Sequence, residues 1–273
     1  MDNSIYINNI SLISLISLIL IFLFYVLDYL LYLNVVNIRE NFIVTNDDIN
    51  IIIARYNEDL KWTLDKPFNK YKYIVYNKGD NENFEKSNIK EIIKLPNVGK
   101  CDHTYLYHII NNYDNLKDIT VFFPGSIDLK YKKRVASEML REIELNKKAI
   151  FISLNKNNIS KLYYDFQLDY YKTKHKGNKS KNPESELKKS KIRPFGAWFE
   201  NMFGNIEINC LIYYGIFSIH KNDIIQHPKS YYEKLIEELS YDSNPEVGHY
   251  FERSWCAIFH PLKETYIIKY KKI

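Results

Sequence analysis

The sequence predicts an α/β fold, a mainly parallel twisted sheet flanked by helices and preceded by one N-terminal transmembrane helix, and three observations carry that prediction. The run Asn50-Ile51-Ile52-Ile53-Ala54 is β-branched without alternation, as a central parallel strand buried on both faces is. Further short apolar runs alternate with stretches of helical periodicity at the spacing of βαβ units. Ahead of them, no charged residue occurs from Ile10 to Leu27, and apolar character resumes after Asp28 through Leu33. That length approaches the roughly 20 residues a helix needs to cross a bilayer.

The elements follow in order. Residues 1–9 form a tail without Lys or Arg, which together with the long apolar stretch and the lack of a small-residue cleavage site favours an uncleaved anchor over a signal peptide. The anchor spans 10–33 and a tether spans 34–48. One α/β domain then occupies 49–260, since the remaining length holds a single proper core. Ile49 to Ala54 is the first strand, and Glu58 to Leu64 the first helix. Tyr71 to Tyr76 is a second strand, closed by the turn signal Asn77-Lys78-Gly79-Asp80. Ile89 to Leu95 is a third. A helix follows over Asp102 to Asn112, with Leu106, Ile109 and Ile110 at helical spacing. Asp118 to Phe123 is another buried strand, stopped by Pro124-Gly125-Ser126, and Lys133 to Leu145 is an amphipathic helix. Later come strands or turns at Ile206 to Tyr214, Gly215 to His220 and Asp223 to Gln226, a helix at Ser230 to Leu239, and a last helix from Pro245 to Phe259. Residues 261–273 are read as a C-terminal tail.

Charge and cysteine usage narrow the class. The formal net charge is +5, and the block 172–193 concentrates nine Lys or Arg against Glu184 and Glu186. Such blocks are solvated loops, with a membrane-surface contact or a flap over a phosphorylated ligand as functional alternatives. The block has no interleaved stacking aromatics and no nucleic-acid motif is present, so nucleic acid is not an expected partner. Cys101, Cys210 and Cys256 are too few and scattered for a disulfide framework or structural zinc and are read as free thiols. Asn158-Ile159-Ser160 and Asn178-Lys179-Ser180 are glycosylation sequons, and the domain is placed on the lumenal side of a single-pass membrane topology.

Ligands of open α/β sheets bind beyond the carboxyl ends of the strands, which makes Arg55, Asn57, Glu58 and Lys78 site candidates. Eight glycines in 273 residues mark places of close backbone approach, among them Gly99 and Gly125. In the last helix Glu246, His249 and Arg253 share one face, offering a general base and an anion clamp, or equally a surface network of helix-stabilising pairs. Cys101-Asp102-His103 at a helix start makes a Cys/His nucleophile a further reading.

The segments Ala54-Arg55-Tyr56-Asn57-Glu58-Asp59-Leu60, Leu95-Pro96-Asn97-Val98-Gly99 with His103 to Ile110, and Gly248-His249-Tyr250-x-Glu252-Arg253-x-Trp255 together resemble the family catalogued as domain of unknown function 3431, over about Ile49 to Phe259. More distantly the layout is similar to GT-A glycosyltransferases, which open with a strand ending in a polar Asn-Glu turn. Where their metal-binding Asp-x-Asp would stand, this chain has Pro124-Gly125-Ser126. The likeness implies a transferase moving a sugar from a nucleotide sugar to a glycan or protein acceptor, without a bound metal or other cofactor. Donor contacts would come from Arg55, Asn57, Glu58, Lys78, Gly99, His103 and Gly125, proton abstraction from Glu246 or His249, and leaving-group stabilisation from Arg253 or Lys100. The rival from another class is a catalytically inactive membrane-tethered binding module of the same fold.

Overall fold

A computed structural model describes residues 20–31, 49–179 and 186–270. The chain divides into two units, 1–43 and 44–273. In the first, residues 20–31 are helical and expose large apolar side chains from Leu20 to Leu31. Among the described residues no helix is long and apolar enough to cross a membrane. The expected tail at 1–9, both ends of the expected anchor at 10–33, and the tether at 34–48 lie outside the described residues.

The second unit is a mixed α/β domain whose strands are β1 (Ile49–Arg55), β2 (Tyr73–Asn77), β3 (Ile89–Lys94), β4 (Ile119–Pro124), β5 (Ile150–Leu154), β6 (Phe217–His220) and β7 (Tyr266–Tyr270). Five of them form a sheet in the order β3-β2-β1-β4-β6, parallel except for the antiparallel β4–β6 pair. β5 and β7 pair in parallel as a second sheet. The two are spliced by a side chain: the Ser218 hydroxyl of β6 donates to Ile150 O and accepts from Ile150 N.

The β-branched run that predicted β1 is buried along nearly its whole length, and its period of two sends alternate side chains to two cores. Ile52 and Ala54 face a core with Tyr105, Trp198, Phe251 and Trp255, while Ile51 and Ile53 face one with Trp62, Met139 and Leu140. The long helices are α1 (Lys100–Asn111), α2 (Lys130–Asn146), α3 (Phe195–Phe203), α4 (Lys229–Glu237) and α5 (Glu246–Ile258). α2 covers one face with the stripe Val135, Ala136, Met139, Leu140 and Ile143. α1, α3, α4 and α5 cover the other.

Several expectations need correcting. Residues 261–273 are more than a tail, because Tyr266–Tyr270 is the strand that β5 requires as its partner. The segment 206–214 forms no strand; it lends its backbone singly, as where Leu211 N donates to Ser153 Oγ. Asp223 to Gln226 falls largely in a short helix, Lys221–Ile225, where Asp223 accepts from three successive backbone N–H groups, Lys263 to Thr265. The first helix shrinks to a 3₁₀ turn, Lys61–Leu64. Cys210 and Cys256 are joined in a disulfide rather than free, their Cα atoms 6.1 Å apart, and Cys101 alone among the described cysteines is unpaired.

Candidate functional site

The chain runs outward from β1 to β2 and β3, then returns to place β4 on the other flank of β1. That reversal is a topological switch point, where strand ends splay and leave a crevice. A cavity of about 330 Å³ opens there, lined by Ala54 and Arg55 at the end of β1 with Tyr56 and Glu58 beyond it, Lys78 after β2, and Pro124 at the end of β4 with Ser126 beyond it. Lys100 and Cys101 of α1, Lys132 of α2 and Tyr171, Thr173 and Asn178 from the basic segment complete most of the wall. A second space of about 480 Å³, lined in part by Asp80, Lys94 and Leu95, shares Tyr56, Lys78 and Asn97 with the first.

The walls are cationic. Lys78 is buried, and its Nζ donates to Val98 O at 2.5 Å and to Lys100 O. Burial lowers it from 10.5 to about 7, against smaller opposing pulls from Cys101 and Asp102. Lys132 is half-buried, its Nζ donates to Ser126 Oγ at 2.8 Å, and desolvation lowers it as well. Lys100 leans over the Tyr171 ring, 4.5 Å from its centroid. Arg55 is 1% exposed and ties the loops together by donating to Glu58 O, Tyr56 O, Asn77 Oδ1 and Asn81 O. Its Nη2 is buried with no partner.

Among the described lining residues one carboxylate, Glu58, faces these cations. Glu58 accepts from Tyr56 N at 2.7 Å and from Asn178 Nδ2 at 2.8 Å. It comes so close to Gly125 that a Cβ there would stand 2.7 Å from Oε2, which is the reason that position is glycine. Beside it, His175 Nε2 lies 3.0 Å from Asp128 Oδ2, and that hydrogen bond raises the histidine. The described parts of the 172–193 segment are thus fastened: Asn178 and His175 hold it over the cavity, and Ser190 and Arg193 bind Glu246.

The sequence-nominated residues divide into two groups. Arg55, Glu58, Lys78 and Lys100 line the cavity, and Gly125 stands behind Glu58. Asn57 is outside it, its Oδ1 beside Gly79. Gly99 makes room for the chain and not for a ligand, since a Cβ would meet Leu239 O and His103 Cβ at 2.6 Å, and its φ is 58°. His103 is buried against Tyr107, and burial together with Lys78 lowers it to about 4. Cys101 reaches the cavity, but burial pushes its thiol up, away from the thiolate a nucleophile requires.

The last helix departs furthest from expectation. Glu246 is fully buried outside the cavity, accepting from Leu168 N, Ser190 N, Tyr250 OH and Arg193 Nε. Its carboxylate is a staple for the chain that precedes α3. His249 packs edge-on against Tyr171 at 4.3 Å, and burial holds it neutral near 3. The Arg253 guanidinium sits 3.6 Å from the Phe166 ring centroid. None of the three lines the cavity.

Lys132, Ser126, Tyr171, Thr173 and Asn178 were not nominated from sequence as ligand contacts. For Lys132 a signal existed: it lies three and four residues before Val135 and Ala136 and so extends the apolar stripe of α2 with a charge. Among the described residues no group of three or more His, Cys, Asp or Glu is placed to hold a metal ion.

A family model described as "Protein of unknown function (DUF3431)" matches residues 51–271. The chain belongs to that family. No curated protein matches the sequence. In this family member the matched span begins within β1 and contains the whole cavity wall.

Proposed function

We propose that the cavity binds the diphosphate of a nucleotide sugar and that the protein is a membrane-anchored sugar transferase. The observation that carries the reading is the convergence of Lys78, Lys100, Lys132 and Arg55, with its unpartnered Nη2, on a cavity at the switch point of the sheet. Holding several cations partly out of water is costly, and an anionic ligand offsets part of that cost. Among the described cavity-lining side chains Glu58 alone is acidic, and its oxygens, which accept from Tyr56 N and Asn178 Nδ2, keep lone pairs for a ligand hydroxyl. The second space, which shares Tyr56, Lys78 and Asn97 with the first, has the size for the rest of a nucleotide.

In this reading Lys100 and Lys132 stabilise the negative charge that develops on the departing diphosphate, in a site fixed beforehand by Lys78 and its two backbone carbonyls. The charge that a divalent cation would supply to a diphosphate is supplied by side chains. The anchor at 10–33 tethers the domain, and the Cys210–Cys256 disulfide favours an oxidising, lumenal compartment. Alkaline extraction of membranes tests the anchor, and release of the intact chain into the supernatant would remove it from the reading.

A catalytically inactive binding module of the same fold is favoured by one observation, the absence of Glu246 and His249 from the cavity wall. Calorimetric titration with UDP and GDP, beside uridine and guanosine, tests the shared premise. One diphosphate is expected to bind at least about a hundredfold tighter than its nucleoside, with Lys132→Met removing ten- to hundredfold of that advantage, as for a lost charge-assisted contact. Equal affinity of nucleoside and diphosphate sinks both readings. Binding followed by release of free sugar from the matching nucleotide sugar separates the enzyme from the module.

A further inference from the structure

The cavity at the switch point has a second chemistry that its lysines do not use. Among its lining residues Glu58 and Asn178 meet side by side. Glu58 is 5% exposed, and its carboxylate accepts from Tyr56 N through Oε2 at 2.7 Å and from Asn178 Nδ2 through Oε1 at 2.8 Å. An ionised carboxylate has about four lone-pair sites, so each oxygen retains one after these bonds. The bond to Glu58 also settles the orientation of the Asn178 amide, because the reversed amide would set Oδ1 against a carboxylate. Nδ2 is thereby committed, and Oδ1 at the other end of the amide is buried without a partner. Two neighbouring groups have acceptor capacity to spare and no donor to meet it.

The pair is assembled from distant parts of the chain. Glu58 stands in the turn after β1, where Arg55 Nε donates to its backbone O at 2.8 Å. Asn178 arrives 120 residues later, on the segment that His175 fastens to Asp128. Both line the same cavity as Lys100, Lys132 and the buried Arg55, so one ligand can meet the anion-binding groups and the acceptors together.

We propose that Glu58 and Asn178 select the sugar of the nucleotide sugar, taking hydroxyl donors from a neutral sugar and disfavouring an acidic one. The proposal rests on the diphosphate reading of the cavity and adds to it which sugars can follow the phosphate. A neutral sugar has hydroxyl protons to give to both acceptors. The carboxylate of a uronic acid has none, and it brings a second negative charge towards Glu58.

Calorimetric titration of the full-length protein in detergent tests the assignment, with UDP, UDP-glucose, UDP-galactose, UDP-xylose, UDP-N-acetylglucosamine and UDP-glucuronate, and with GDP, GDP-mannose and GDP-fucose. The readout is the gain, the factor by which a nucleotide sugar binds more tightly than its own nucleoside diphosphate. At least one neutral sugar is expected to show a gain, and UDP-glucuronate none. Glu58→Gln keeps an acceptor for Tyr56 N and turns an amide group towards Asn178, whose own amide then reverses, so that acceptors are replaced by donors. The gain should fall at least about tenfold, while the nucleoside diphosphate itself binds more tightly because a negative charge has left a cationic wall. Asn178→Ala removes one neutral acceptor without disturbing the bond to Tyr56 N, and should lower the gain about threefold even where the first variant folds poorly. No gain for any neutral sugar, a gain unaltered in both variants, or UDP-glucuronate binding more tightly than every neutral sugar overturns the proposal and leaves the diphosphate reading standing. Nucleoside diphosphates that bind no better than nucleosides overturn both.

Discussion

Lys132 and Glu246 are both charged residues set against the buried side of a helix, one in the first turn of α2 and the other at the first residue of α5. Lys132 faces a cavity and has Ser126 Oγ as a hydrogen-bond acceptor. Glu246 faces the chain, where backbone N–H groups, Tyr250 and Arg193 use both of its oxygens. The comparison shows that burial of a charge does not by itself mark a ligand site. What distinguishes the two is whether the chain neutralises the charge or leaves space beside it.

The largest effect should come from breaking the satisfied side. Removing the carboxylate strands the donors Leu168 N, Ser190 N and Tyr250 OH, each worth about 1 to 3 kcal/mol, so Glu246→Ala is expected to cost about 3 to 5 kcal/mol in urea denaturation. Its folded fraction should bind UDP within twofold of the unaltered chain. A larger change in affinity would mean that Glu246 reaches the ligand after all, and the contrast would fail.

On the unsatisfied side the expected effect is smaller and has a pH signature. Lys78 is lowered from 10.5 to about 7, so between those values the unfolded chain carries a proton that the folded chain has shed. Stability should therefore rise as pH increases from 7 towards 10.5, while affinity for UDP should fall over the first part of that range as the ammonium is lost. Lys78→Met should flatten both trends and weaken UDP binding about tenfold at pH 6.5. Parallel rather than opposed trends would show that Lys78 is not a ligand contact.

Asp102 lies between the regions. Trp255 Nε1 of α5 donates to its Oδ1 at 2.9 Å, and its neighbour Cys101 lines the cavity. Burial, with Glu252 nearby, raises Asp102 from 3.8 to about 7, so the folded state holds its proton more tightly. That contribution to stability is complete below pH 3.8 and is lost as pH rises to about 7. Asp102→Asn keeps an acceptor for the indole and should remove this slope in thermal melts at pH 4 to 7, with UDP affinity changed less than threefold. A persisting slope would assign it to other groups.

The strand ends were legible because β1, β2 and β4 are short apolar runs that stop at polar residues, and the reversal between β1 and β4 puts those stops together. The alternation of apolar runs with stretches of helical periodicity gave the layers. What stayed hidden depends on tertiary pairing. β7 is half-exposed, and only its ladder with β5 identifies it. α3 follows directly on the basic block, whose charge masks the apolar face of Phe195, Trp198 and Phe199. The i, i+3, i+7 spacing of Glu246, His249 and Arg253 did place them along one helix, but spacing gives no information on what lies opposite. Two of the three meet aromatic rings and the third meets backbone N–H groups.

The pairing of β5 with β7 also sets an order of events during synthesis. Ile150 aligns with Tyr266, so β5 leaves the ribosome more than a hundred residues before its partner exists. Until then its outer edge offers unpaired N–H and C=O groups, and the apolar Ile150, Phe151 and Ile152 wait with it. A nascent chain of this design cannot close its second sheet as it emerges, and the late, non-local closure is the step at which a holding chaperone or an aggregating neighbour would find it.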